Sequence, residues 1–291
     1  MSAPHAAQPR QPIDIEKEKR PMNPNKALWE KGDFTRIAGT MRESGEDLVA
    51  SLSIGEGLEM LDLGCGDGTT ALPAARAGAK VLGVDIASNL VSAGNARARA
   101  AGLRNLSFEE GDASDLSGLP DERFDLVLSM FGAMFAPRPF DVAREMVRVV
   151  RPGGRIVMGN WIPGDPTLVA QILRISAAFT PPPPDGFVSP VTWGVEETVR
   201  ERFVAAGVAP ADIAFERATW LFRHDGPPAE FLEMFRLYYG PTMNAFDAAA
   251  RDGRESELQS ELERLFETQN RAGPERTEIP ATYLKVTVTK G

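Results

Sequence analysis

The sequence predicts an open, doubly wound α/β fold with a mostly parallel seven-stranded sheet, on three observations. Between residues 58 and 160, apolar runs of strand length alternate with helical stretches at βα spacing. The first of these runs, ending Leu61-Asp62-Leu63, passes directly into Gly64-Cys65-Gly66-Asp67-Gly68 and then a helix-forming segment. Near the end of the chain, Leu284, Val286 and Val288 alternate with Lys285, Thr287 and Thr289, the pattern of a one-sided antiparallel strand.

Composition bounds the rest. The 291 residues are 43% hydrophobic, ample for a continuous core, and carry a net charge of −9. An acidic chain without a basic stripe argues against nucleic acid as a partner, because phosphate binding needs clustered Lys and Arg. Cys65 is the single cysteine, which excludes an internal disulfide and any zinc site of paired cysteines. No apolar run approaches the roughly 20 residues that cross a bilayer, and residues 1–11 lack the apolar core of a signal peptide. The expectation is a cytoplasmic protein with no membrane partner; oligomeric state is not legible.

Taken in order, residues 1–26 hold five prolines around the charged run 14–20 and read as an unfolded tail. Residues 27–57 show Leu28, Trp29, Phe34, Ile37, Met41, Leu48, Val49 and Leu52 at mostly helical spacing, with Gly32 and Gly45 as breaks. Two capping helices ahead of the first strand are expected. The core, 58–160, reads as strands at 58–63, 81–85, 106–109, 124–128 and 155–160. Its helices fall at 70–77, 88–101 and 139–149, with Ser88 as the N-cap of the second.

The remainder, 161–291, continues the same domain with two helical lid segments, at about 161–194 and 223–275. Helices are expected at 166–179, 196–206, 228–249 and 255–270, and a sixth strand at 213–222. Pro181 to Pro184 make a stiff extended linker.

Glycines at alternate positions 64, 66 and 68 permit positive φ and remove every Cβ, so a ligand can lie against the backbone. Asp85 ends the second strand 21 residues after Gly64, where a carboxylate accepts from two ribose hydroxyls at once. Asp112 ends the third strand, within reach of an adenine amino group. The three loops converge on one crevice and point to a nucleoside-bearing cofactor.

Residues 59–69 resemble the first motif of the class I S-adenosylmethionine-dependent methyltransferases, whose fold is Rossmann-like. Val84-Asp85-Ile86, Gly111-Asp112-Ala113, Phe124-Asp125-Leu126-Val127 and Arg151-Pro152-Gly153-Gly154-Arg155 resemble the later motifs in order and spacing. Within the class, the sequence is most similar to the small-molecule group that includes the quinone-biosynthesis C-methyltransferases.

The resemblance implies that Gly64, Cys65, Gly66 and Gly68 cradle the methionine portion of S-adenosyl-L-methionine, with Asp62 toward its ammonium. It implies that Asp85 binds the ribose, that Ile86 packs on the adenine, and that Asp112 and the Ala113 backbone meet the adenine edge. Ser129 would lie where cofactor and acceptor meet. S-adenosyl-L-homocysteine is the implied product, and a small-molecule methyl acceptor the implied partner. The Asn/Asp-Pro-Pro-aromatic motif of amide and exocyclic-amine methylation is absent, since Ser129-Met130-Phe131-Gly132 stands in its place.

A sulfonium is already an activated methyl donor, so no metal is expected. The acceptor pocket is expected among Trp29, Phe131, Trp161, Phe235, Tyr238 and Tyr239. His224, the histidine just after the sixth strand, is the candidate general base. Two other readings compete: a nicotinamide-dependent oxidoreductase and a noncatalytic cofactor-binding scaffold. The first is disfavoured because its Gly-x-Gly-x-x-Gly spacing fails here, Gly68 falling one place early. The second is disfavoured by intact motifs at every cofactor position.

Overall fold

The computed structural model describes Asn23 and residues 25–291. The tail expected at 1–26 otherwise lies outside the described residues. Its last part departs from the expectation, because α1 (Asn25–Glu30) already begins at Asn25. Two more helices, α2 (Phe34–Gly39) and α3 (Arg42–Ser51), complete the N-terminal segment, giving three where two are expected. Gly32 does separate α1 from α2. Gly45 is no break: it lies within α3, where a Cβ would come within 2.6 Å of the Thr69 carbonyl oxygen. That contact lets the helix lie directly on the glycine-rich turn.

The sheet then builds as β1 (Glu59–Leu63), α4 (Ala71–Arg76), β2 (Lys80–Asp85), α5 (Ser88–Ala100), β3 (Leu106–Glu110), β4 (Phe124–Met130), α6 (Pro139–Val149) and β5 (Val150–Trp161). α6 buries Val142, Ala143, Met146 and Val149, spaced so that one face meets the core. β5 starts five residues earlier than expected, because Val150 pairs with Phe124 before an irregularity that resumes at Arg155 opposite Leu126. Ser88 begins α5 but does not cap it. Its hydroxyl bonds Glu30, and the amide of the N-cap residue Ala87 is taken by Asp85 Oδ1 at 2.9 Å.

The second half adds α7 (Leu168–Ala177), α8 (Glu196–Ala205), β6 (Ile213–His224), α9 (Pro228–Tyr238), α10 (Gly240–Arg251), α11 (Glu255–Gln269) and β7 (Thr277–Thr289). The helix expected over 228–249 is two helices. Tyr239 is extended, and Pro241, lacking an N–H, stands in the first turn of the next helix.

Strand order is β3-β2-β1-β4-β5-β7-β6. β7 runs antiparallel to both neighbours, so β6 points the same way as β1 to β5. The sheet reverses its winding between β1 and β4, which opens a crevice at the strands' carboxyl ends. Below it, Met60, Leu61, Leu63, Leu126, Val127 and Leu128 are fully buried, a rigid floor for the loops above. The lengthy β6–β7 ladder holds the helices α9 to α11 over the same end of the sheet.

Candidate active site

β1 delivers Asp62 and Leu63 to the crevice, and the turn that follows carries Gly64, Gly66 and Gly68 at φ of +67°, +56° and +89°. The three glycines serve different purposes. A Cβ on Gly64 would strike the Gly132 backbone at 2.7 Å, so this residue lets the β1 and β4 loops touch. A Cβ on Gly68 would strike Leu72 and Phe108, and Gly68 does not line the cleft. Gly66 alone of the three faces open space, its nearest neighbour Phe34 at 4.0 Å. That opening is where a ligand can approach the backbone.

Around it lies a cleft of about 950 Å³, counting its open mouth, lined by Asp62, Gly64, Cys65, Gly66, Asp85, Ile86, Gly111 and Ala113 among others. Asp85 is 8% exposed and doubly held, its Oδ2 accepting from Gly66 N at 2.8 Å and its Oδ1 from Ala87 N. Burial pushes its pKa up, opposed by those amides. Asp62 is buried and accepts from Thr70 Oγ1 at 2.6 Å; burial, then the nearby Asp85, push it up to about 7. A carboxyl so held favours a cationic partner. Burial and the surrounding Asp85, Asp62 and Asp67 carboxylates push the Cys65 thiol well up, so it stays a neutral wall.

Asp67 is buried against Arg42 at 2.5 Å, with Arg97 at 3.5 Å, leaving its Oδ1 without a partner. Arg42 also donates to Thr69 Oγ1, so α3 is tied to the turn by charge as well as by the Gly45 contact.

Three expected site residues are placed otherwise. Asp112 is outside the cleft lining, although Gly111 and Ala113 on either side belong to it; its oxygens accept from Ser114 N and Asn23 Nδ2. Ser129 is fully buried and does not reach the cleft. Its hydroxyl donates to Leu63 O at 2.6 Å and accepts from Ala133 N, clamping β4 to β1. His224 lines neither cavity; its ring lies against Phe231, with Glu230 at 3.6 Å. The imidazole thus stands apart from both cavities.

Beside the cleft a second cavity of about 350 Å³, counting its open mouth, is lined by Trp29, Phe34, Ile37, Met41, Phe131, Phe135, Trp161, Val169, Phe222, Phe235 and Tyr239. Five of these, Trp29, Phe34, Met41, Phe131 and Phe135, also line the first cleft. Of the expected pocket residues, Trp29, Phe131, Trp161, Phe235 and Tyr239 are brought together here. Tyr238 is not: it is half-buried outside the cavity, its carbonyl packed toward Gly32.

Phe131 stands between the two cavities in a left-handed conformation, φ +63°, its ring stacked on Trp161 at 3.7 Å and 6°. Such a conformation in a bulky residue costs on the order of 1–2 kcal/mol and persists only where the surroundings enforce it. Here the Gly64–Gly132 contact fixes the adjacent backbone.

Several lining residues escaped the sequence reading. Asn23 and Asn25 reach the cleft from its rim, Asn25 Nδ2 donating to Phe135 O, while Lys26 pairs with Glu110. Nothing local in a proline-flanked pair of asparagines signals this. Phe34, Ala38 and Met41 do carry a signal, the i, i+4, i+7 spacing of one helical face. Trp220, on β6, lines the cleft with its indole N–H buried and unpartnered.

Among the described residues no cluster of His, Cys, Asp and Glu could hold a metal, and no helix is long and apolar enough to cross a membrane. The sheet order, the glycine turn and the acidic residue ending β2 together define a Rossmann-like methyltransferase fold. A sequence family described as a methyltransferase domain matches residues 61–158. An uncharacterized protein of Mycobacterium tuberculosis is 35% identical over 231 residues, 79% of this chain and 82% of its own. The 27-O-demethylrifamycin SV methyltransferase of Amycolatopsis mediterranei is 32% identical over 53% of this chain and 57% of its own. The crystal structure of YcgJ from Bacillus subtilis superposes with a TM-score of 0.56 at 18% identity, covering 86% of this chain and 99% of that one. The chain belongs to the class I S-adenosylmethionine-dependent methyltransferases. It is an enzyme of that class, with S-adenosyl-L-methionine as cofactor, and the nicotinamide and scaffold readings fall away.

Proposed function

We propose that this methyltransferase acts on a small, apolar acceptor bearing an aromatic ring, held in the inner cavity beside the cofactor cleft. The observation that carries the proposal is that cavity: its eleven lining residues include no carboxylate, amine or imidazole, and eight are Phe, Trp or Tyr. A charged or strongly hydrated acceptor would lose its water there without compensation, whereas a ring gains offset and edge-on contacts. The relative named for 27-O-demethylrifamycin SV supports a small-molecule acceptor.

The cleft residues fit the cofactor. Asp62, buried and favouring a cation, would face the methionine ammonium; the open Gly66 would admit the chain, Asp85 the ribose, and Ile86 with the Ala113 backbone the adenine. When bound, the cofactor supplies a sulfonium methyl for in-line displacement. What the chain contributes is alignment and dryness. Phe131, stacked on Trp161, and Trp29, edge-on to Phe135 at 4.9 Å, form the wall common to both cavities and hold the acceptor against the cleft while excluding water. The inner cavity holds no carboxylate or imidazole, which suits an electron-rich ring carbon, since that needs no base at its attack.

The test is S-adenosylhomocysteine release from an acceptor panel of phenols, naphthols and hydroquinones set against aliphatic amines and amino acids. Turnover is expected with ring-bearing acceptors. Turnover confined to the aliphatic amines would overturn the proposal.

A further inference from the structure

We infer that the Tyr239 hydroxyl is the hydrogen-bonding contact for an oxygen on the acceptor's ring, so that the inner cavity selects oxygenated aromatic compounds over their hydrocarbon isosteres. This rests on the aromatic-acceptor reading above and goes beyond it by naming the polar group that orients the acceptor.

Tyr239 occupies the break between α9 and α10, and its position is fixed from several sides. Its N–H donates to Phe235 O at 3.1 Å, and Gly240 beside it lies so close to α1 that a Cβ would meet Leu28 O at 2.5 Å. The ring sits among Phe235, Trp29 and Phe34 at centroid distances of 5.3, 6.0 and 6.2 Å. A phenylalanine would satisfy every one of these contacts.

The hydroxyl is therefore not needed for packing. The residue is 5% exposed, and its oxygen has no hydrogen-bond partner among the described residues. The residue as a whole is buried but its oxygen is not sealed off, which leaves it open to a ligand, and the rest of this wall is hydrocarbon, aromatic ring or thioether apart from the indole N–H groups of Trp29 and Trp161. A few polar groups in an otherwise apolar ligand cavity are the usual device for fixing orientation, and the Tyr239 hydroxyl is the one oxygen among the lining side chains. Burial also pushes the phenol's ionisation well up, so the group is a neutral O–H that donates. The complementary ligand atom is an acceptor: a phenolate, phenol, quinone or ether oxygen on the ring. Tyr239 is thus a positioning residue and supplies no base.

The test compares wild type with Tyr239→Phe, each saturated with S-adenosylhomocysteine, in equilibrium dialysis of 2-naphthol against 2-methylnaphthalene. These probes match in shape and differ in the one polar group. Wild type is expected to prefer 2-naphthol about three- to tenfold, and Tyr239→Phe to lose that preference while binding 2-methylnaphthalene as tightly as before. Removal of an unpaired hydroxyl leaves thermal stability unchanged or raised, so a folding defect does not confound the comparison. An undiminished preference for 2-naphthol in Tyr239→Phe overturns the assignment of Tyr239 and leaves the aromatic cavity intact. Failure of both probes to bind wild type overturns the aromatic reading itself, and the Tyr239 inference with it.

Discussion

Replacing Asp62 by asparagine separates what this carboxyl does to the fold from what it does for the ligand. Its side chain is 1% exposed, and burial, reinforced by Asp85, moves its pKa from the ordinary 3.8 to about 7. Holding the ionised form in the free protein is thus unfavourable by on the order of 4 kcal/mol. The folded pKa lies above the unfolded one, so between about pH 4 and 7 the folded state binds a proton that the unfolded state has released. Asp62's contribution to stability is therefore complete below pH 4, falls as pH rises, and has gone once pH passes about 7.

Asp62→Asn keeps the shape, leaves Thr70 a carbonyl to donate to, and never charges. At pH 8 the free variant should melt several degrees above wild type, with the gap closing at pH 4. S-adenosylhomocysteine should bind it at least tenfold more weakly, because the ammonium has lost its counter-charge. In wild type, bringing an ammonium to Asp62 favours the carboxylate, so binding at pH 6 should release roughly 0.9 proton, and affinity should be about tenfold lower than at pH 8. Calorimetry at pH 6 in phosphate and in imidazole buffers reads this release directly. Equal heats in the two buffers, or a variant that melts lower than wild type at pH 8, would refute the account of Asp62 as a buried acid awaiting a cation.

Two further outcomes follow from the site. Gly66→Ala fits the fold except for its φ of +56°, so it should cost about 1 kcal/mol of stability but weaken S-adenosylhomocysteine tenfold or more; Gly68→Ala meets Leu72 at 2.5 Å and should show the reverse, a loss of roughly 1–3 kcal/mol with affinity largely kept. Denaturant melts and calorimetry on the two variants distinguish the patterns, and equal ligand losses would contradict the separate roles given to these glycines. His224→Ala should keep kcat/KM across pH 6 to 9 with any acceptor found by the panel; a selective loss at one pH limb would return the imidazole to the chemistry.

The motifs of the cofactor half were legible because they are local. A strand that turns sharply into a helix needs positive φ within a few residues, and glycine supplies it, so residues 64–68 announce themselves. Asp85 is legible for the same reason, standing at the end of a short buried strand. The direction of the Ser129 side chain is not legible, because proximity to a motif does not fix it. The Ser129 hydroxyl is taken by Leu63 O across the sheet, a contact 66 residues away in sequence. Nor does helical periodicity between 228 and 249 reveal the break at Tyr239, since extended and helical backbones at one residue leave the apolar pattern nearly unchanged.

The sequence by itself determined the fold class and a nucleoside-binding turn, because alternating periodicity and glycines at positive φ are short-range consequences of backbone sterics, while the cofactor and reaction type followed from the resemblance of its motifs to a known family. Only the tertiary structure brought the aromatic cavity beside the cleft together. The inner cavity joins Trp29 and Phe34 from the N-terminal helices, Phe131 and Phe135 from the β4 loop, Trp161 from β5, Phe222 from β6 and Phe235 with Tyr239 from the helices before β7. Each is an ordinary core aromatic in its own segment. Their meeting arises from packing five pieces of chain against one another, and no local rule encodes that.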